Sequence, residues 1–288
     1  MRRSLLFIPG NNPGNMNNAD IMNADAIIFD LEDSVAVTEK DAARLLVNEF
    51  LASQMCKASK YEKIVRINGM DTIYGEKDVK GLNLNNLDTI LLPKSNNSNL
   101  DMFLKCLKQT RSEQRVNKEI KYILLVEEPR GILDLSQMIE KKPVADGIFL
   151  GAEDLTSLLG IKRTKSSVEI EYPRNQVIYA SKAIGVDAID TPFTDTFDKE
   201  GLIEDIKHAK AMGMTTKACI HPSQVKLVNE LFMPDEEEIR FANRVLAAKE
   251  KATKEGKAVF SLDGKMIDKP IILKAEKILE KLRLSNEK

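Results

Sequence analysis

Short apolar runs of four to seven residues recur along the chain, most of them followed by a stretch whose apolar positions fall three and four apart. The runs lie at residues 5–8, 26–29, 63–67, 87–92, 120–126, 147–150, 186–189 and 216–220. Their length and mostly apolar character predict buried parallel strands. Helical spacing is predicted over 16–23, 39–54, 100–107, 132–139, 176–184 and 203–212. In 39–54 the expected inner face carries Ala42, Leu45, Leu46 and Phe50. Strands alternating with helices in this number and length fit an α/β fold, a (β/α)8 TIM barrel. A doubly wound open sheet fits the periodicity nearly as well. The barrel is favoured because polar residues recur where the runs stop: Asp30, Arg66, Lys94, Glu127, Asp154, Asp190 and His221. In a barrel they would gather at one mouth.

Beyond the eighth run the pattern changes. A charged amphipathic helix is expected over 234–252, an extended piece over 258–262, a turn over 263–268 and a last helix over 271–282. The expected organisation is a catalytic barrel domain, 1–233, with a C-terminal helical extension, 234–288, packing on the barrel or on a neighbouring subunit. No Pro/Gly/Ser-rich linker interrupts the chain.

Composition narrows the class of partner. With 43 basic and 44 acidic side chains, the net charge gives no reason to expect nucleic acid or a membrane surface. No apolar run approaches the length of a membrane helix, and the stretch after Arg2 and Arg3 is too short for a signal peptide. Cys56, Cys106 and Cys219 are widely spaced and odd in number, which fits free thiols in a reducing compartment. A soluble, cytoplasmic protein is the expectation.

The candidate chemistry centres on Glu127 and Asp154. Each follows a strand-like run, so in a barrel the two carboxylates would converge on one mouth, where a hard dication could sit between them. Strand-end carboxylates also serve as helix caps. Arg66 could clamp an anion with its fixed fork of donors, or could pair with Asp30 or Glu32. His221, before Pro222 and Ser223, is read as orienting a loop. Lys94 could bind a phosphate or carboxylate, or face water.

Several motifs occur in fixed order: Arg3-Ser4-Leu5-Leu6-Phe7-Ile8-Pro9-Gly10, Phe29-Asp30-Leu31-Glu32-Asp33-Ser34-Val35 with Lys40 and Ala43-Arg44 downstream, Val65-Arg66-Ile67-Asn68, Leu92-Pro93-Lys94, Gly151-Ala152-Glu153-Asp154-Leu155 and Ser261-Leu262-Asp263-Gly264-Lys265-Met266-Ile267-Asp268. Together they resemble the HpcH/HpaI aldolase/citrate lyase family, in particular its citrate lyase β subunits. The resemblance implies a TIM barrel assembling as a homo-oligomer, a trimer or hexamer. It also implies Mg²⁺-dependent cleavage of a citryl thioester on an acyl carrier protein to oxaloacetate and an acetyl thioester. Carrier-protein and transferase subunits would then be partners.

By the same resemblance Glu127 and Asp154 are the Mg²⁺ ligands, with Glu127 also at the substrate, and Arg66 binds substrate and stabilises charge. Asp268 would move a proton at the α-carbon, from its own or an adjacent subunit, although it could equally cap the helix near Pro270. Alternatives are a free-standing lyase for malyl-CoA or citramalyl-CoA, and a non-catalytic structural or regulatory subunit. The pattern Asn11-Asn12-Pro13-Gly14 leans toward the carrier-protein enzyme. Glu127-Glu128-Pro129-Arg130-Gly131 departs from the family pattern of Glu followed by Thr or Ser, and predicts either a local ion pair or an altered substrate.

Overall fold

The computed structural model describes residues 2–141, 144–254 and 259–286. It divides into two compact units, Arg2–Asn229 and Glu230–Lys288. The first is a closed barrel of eight parallel strands in sequence order: β1 Ser4–Pro9, β2 Ala26–Asp30, β3 Glu62–Arg66, β4 Thr89–Leu92, β5 Lys121–Val126, β6 Gly147–Leu150, β7 Asp187–Asp190 and β8 Thr216–Cys219. β8 returns to β1 through Ser4↔Lys217, Leu5↔Ala218 and Leu6↔Cys219, so the open-sheet alternative does not hold.

Successive side chains of a strand point to opposite faces. Leu5, Ile28, Ile64, Leu125, Phe149 and Ile189 belong to one buried cluster inside the barrel, and the residues between them face the helix layer. Burial on both faces is why the strands read as mostly apolar runs rather than as an alternation.

Several helices start on a side-chain cap. Thr72 accepts the Tyr74 and Gly75 N–H groups, Asn96 that of Asn99, and Asp198 that of Gly201. Helices end at Gly160, Gly185 and Gly213, whose φ values of 69°, 75° and 121° favour a residue without a Cβ.

The structure departs from the sequence reading in detail. In place of a helix over 16–23 there is Pro13–Asn17 and then a 3₁₀ turn, Asp20–Met22, because Asn12 caps and Pro13 opens the helix early. In Lys40–Ala52 the buried stripe is Ala43, Val47, Phe50 and Leu51, while Leu45 is 66 % exposed. The Phe50 ring, common to the expected and the observed face, meets Phe29 of β2 at 5.5 Å. The periodicity does not predict the helices Gln54–Ala58, Ile73–Gly81, Ala152–Leu159 and Pro222–Leu231; Gln54–Ala58 and Ala152–Leu159 are too short for a strong period, and glycines interrupt Ile73–Gly81.

The second unit contains the helices Glu236–Lys254 and Lys269–Asn286 and a hairpin, β9 Phe260–Leu262 with β10 Lys265–Ile267. Only Asp263 and Gly264 form the turn, both at positive φ. The expectation of a turn across 263–268 is therefore corrected, because Lys265–Ile267 pairs as a strand. Ala258, where an extended piece was expected to begin, lies outside the described residues. Ala242, Val245, Ile267 and Ala275 are the buried centre of this unit. Among the described residues no helix is long and apolar enough to cross a membrane. The three cysteines are buried free thiols.

Candidate active site

Strand parity decides which polar residues reach the barrel mouth. In β2, Ala26 and Ile28 point inward, so Asp30 does as well; Ile64 sets the same face for Arg66, and Ile123 and Leu125 for Glu127, one step past β5. Gly151, just past β6, opens the helix Ala152–Leu159, whose first turn carries Asp154. Asp30, Arg66, Glu127 and Asp154 line one cavity of about 450 Å³, floored by Phe7, Leu125 and Phe149.

Glu127 is 3 % exposed. Its Oε1 accepts the backbone N–H of Lys94 at 2.8 Å, and Lys94 adopts φ 48° there. Its other side needs Gly151: a Cβ at that position would lie 2.5 Å from the Glu127 Cβ and 2.9 Å from Oε2. Burial pushes the Glu127 carboxyl well above the usual range; the charges of Glu32 and Asp154 add to this, against the Lys94 N–H and Arg66. Glu32 is pushed up to about 7, chiefly by burial and further by Asp33 and Asp30, with Arg66 and Lys94 opposing. The Glu32 Oε2 is buried and accepts no hydrogen bond, its neighbour being the Arg66 Nη1 at 3.1 Å.

Arg66 is already engaged. Its Nε and Nη2 hold Asp30 at 2.6 and 2.7 Å, and its Nη1 stands 3.1 Å from both Glu32 and Asp33. The guanidinium lies 5.1 Å from the centroid of the Phe7 ring. The two-point edge of the fork thus belongs to Asp30. What Arg66 offers the cavity is its charge and the second Nη2 hydrogen. The Lys94 ammonium stands 3.5 Å from Glu32.

Not every strand-end residue joins this mouth. Asp190 alternates with the inward Ile189 and therefore points into the helix layer, where it pairs with Arg174 and Lys217. The expectation that it faces the mouth is corrected on parity. His221 is exposed, and its Nδ1 engages Ser223. Arg130 pairs with Asp134 one helical turn on rather than with Glu128, whose side chain makes no capping bond. Asp268 belongs to the second unit, at the head of the helix Lys269–Asn286, where its Oδ1 accepts the Ile271 N–H at 3.4 Å.

The sequence reading gives Glu32 only as a possible partner of Arg66, and gives no role to Thr191, which also lines the cavity. The run of Asp30, Glu32 and Asp33 was the available signal for Glu32. Nothing in the residue pattern marked Thr191.

The donor set suits a hard dication. Among the described residues no group of three or more His, Cys, Asp or Glu side chains is arranged to hold a metal by itself. Mg²⁺ does not require one, since it is held through one or two carboxylates and keeps positions for substrate and water. Buried carboxyls pushed upward, with Glu127 and Asp154 lining one cavity, are what an acidic site short of positive charge displays.

Residues 3–222 match the family described as HpcH/HpaI aldolase/citrate lyase. The chain is 35 % identical over 283 residues to the citrate lyase subunit beta of Leuconostoc mesenteroides subsp. cremoris, covering 97 % of this chain and 93 % of that protein. It is 30 % identical over 290 residues to the human mitochondrial citramalyl-CoA lyase, covering 96 % and 84 %. A crystal structure of CitE from Mycobacterium tuberculosis, in complex with magnesium, acetoacetate and coenzyme A, superposes with a TM-score of 0.77 at 29 % identity, covering 96 % of this chain and 97 % of that one.

Proposed function

The chain belongs to the HpcH/HpaI aldolase/citrate lyase family, and we propose that it is a citrate lyase β subunit, a carbon–carbon lyase that cleaves a citryl thioester to oxaloacetate and an acetyl thioester with Mg²⁺. The observation that carries this reading is the meeting of Glu127, Asp154 and Arg66 in one cavity at the mouth of the barrel.

Cleavage requires the tertiary alcohol to lose a proton while the departing α-carbon takes up negative charge and then a proton. Both fragments therefore need stabilisation. Glu127 and Asp154 would hold Mg²⁺, and when bound it supplies Lewis acidity and a fixed frame for oxygen ligands. Arg66, kept in place by Asp30, stabilises negative charge on a substrate carboxylate or a developing oxyanion in a pocket with an apolar floor, where screening is weak. Phe7, Leu125 and Phe149 exclude water from beneath the reacting carbons. By the family resemblance, proton movement at the α-carbon falls to Asp268, from its own or an adjacent subunit.

This reading carries with it a cytoplasmic homo-oligomer working with carrier-protein and transferase subunits, the carrier bearing the citryl thioester. A second reading, a free-standing lyase for a coenzyme A thioester such as citramalyl-CoA, draws on the likeness to the human citramalyl-CoA lyase. The deciding experiment incubates the purified chain and Mg²⁺ with citryl-carrier protein and, separately, with citryl-CoA and citramalyl-CoA, following 2-oxo acid release. Turnover of the carrier thioester is expected to dominate. Turnover confined to coenzyme A thioesters favours the second reading, and no turnover of any of them ends both.

A further inference from the structure

The helix Ala152–Leu159 begins without a cap of its own. The first N–H groups of a helix find no partner inside it, and a Ser, Thr, Asp or Asn ahead of the first turn ordinarily supplies an acceptor. That position is Gly151, which has no side chain to offer. Nor can it gain one, because a Cβ there would stand 2.5 Å from the Glu127 Cβ and 2.9 Å from its Oε2. Glu127 occupies the space a cap would use.

The acceptor comes from the neighbouring strand instead. The Oγ1 of Thr191, the first residue past β7, accepts the Ala152 N–H at 3.2 Å. Thr191 is itself held, its carbonyl oxygen accepting from the Lys217 Nζ at 2.7 Å. Lys217 directs its other bonds to Asp190 at 2.6 Å and Asp205 at 2.7 Å. Thr191 and Lys217 are both fully buried. A short relay thus runs from β8 through the end of β7 to the first turn of the helix, two residues before Asp154.

We propose that Thr191, held by Lys217, is a positioning residue for Asp154: it fixes the direction in which the helix leaves β6, and with it the place of the Asp154 carboxylate beside Glu127. This rests on the reading of Glu127 and Asp154 as the Mg²⁺ ligands.

The test compares the full chain with Thr191→Val, Thr191→Ser and Asp154→Asn by calorimetric titration with Mg²⁺ alone, alongside the unfolding midpoint of each metal-free protein. Val keeps the shape of Thr but accepts no hydrogen bond, so Mg²⁺ binding is expected to weaken about tenfold, the lower end for an outer-shell partner. Ser restores the acceptor and should restore the affinity. Should Thr191→Val fail to fold, Thr191→Ala is read in the same way. A purely structural Thr191 would lower the midpoint and leave Mg²⁺ affinity unmoved; with Asp154→Asn binding poorly, that result overturns the positioning role and keeps the ligand reading. Equal weakening in Thr191→Val and Thr191→Ser overturns it too. Wild-type Mg²⁺ binding by Asp154→Asn removes the ligand reading and the proposal together.

Discussion

Two clusters of buried charge sit on the same barrel, one in the helix layer and one at the mouth. In the first, Arg174 and Lys217 face Asp190 and Asp205, with every N···O separation between 2.6 and 3.0 Å. Burial opposes ionisation of Asp205, but Lys217 and Arg174 hold its carboxyl well below the usual range. Cations and anions match. At the mouth, Arg66 and Lys94 stand among Asp30, Glu32, Asp33, Glu127 and Asp154. Asp30 is satisfied, whereas Glu32 and Glu127 are pushed toward their neutral forms. A cluster that neutralises itself is scaffold; one left short of positive charge is completed by a proton or an added cation.

The sharpest way to break this contrast is to unbalance the first cluster. Lys217→Met leaves Asp190 and Asp205 with Arg174 alone, and should cost about 3–5 kcal/mol of unfolding free energy, read from urea titrations. A loss below about 1 kcal/mol would mean the cluster is not held together by its charge balance. The mouth should respond in the opposite sense. Glu127→Gln imitates the neutral carboxyl that burial already favours and keeps an oxygen for the Lys94 N–H, so the metal-free protein should unfold no earlier than wild type. Stabilisation by Mg²⁺ should disappear, and turnover should fall by more than the roughly 10- to 100-fold typical of losing an outer-shell partner. An early-unfolding Glu127→Gln protein would erase the distinction between the two clusters.

A gentler probe is pH. Glu32 is raised from its ordinary 4.5 to about 7, so between these values the folded protein holds a proton that the unfolded chain has released. Its contribution to stability is complete below the ordinary value and is lost as pH rises through about 7. Without metal the melting temperature should therefore drop between about pH 5 and 8, and Glu32→Gln should flatten that slope. An unchanged slope in the variant would place the proton elsewhere.

Much of this was legible before any coordinates. The strands were, because burial on both faces leaves mostly apolar runs, and Glu127 was, because parity carries it inward from Leu125. Asp190 was misplaced because the same parity, applied one residue off, sends a strand-end carboxylate outward. The buried face of Lys40–Ala52 differs from the reading because two stripes overlap in sequence and share Phe50, and only the burial of Ala43, Val47 and Leu51 in the folded chain chooses between them. Thr191 and Lys217 were invisible as a unit, since they lie on neighbouring strands whose alignment, Asp190↔Lys217, is a property of the closed barrel.

That closure has a further consequence, for the growing chain. Leu5 pairs with Ala26 on one side early in synthesis, but its other partner, Ala218, emerges only after nearly all of the first unit has been made. Until then β1 and β7 present bare apolar edges able to pair with any passing strand. Such sequence-distant pairing slows folding and lengthens that exposure. A nascent chain stalled before Thr216 should therefore be aggregation-prone, and release of the segment Thr216–Cys219 should be the step at which it becomes safe.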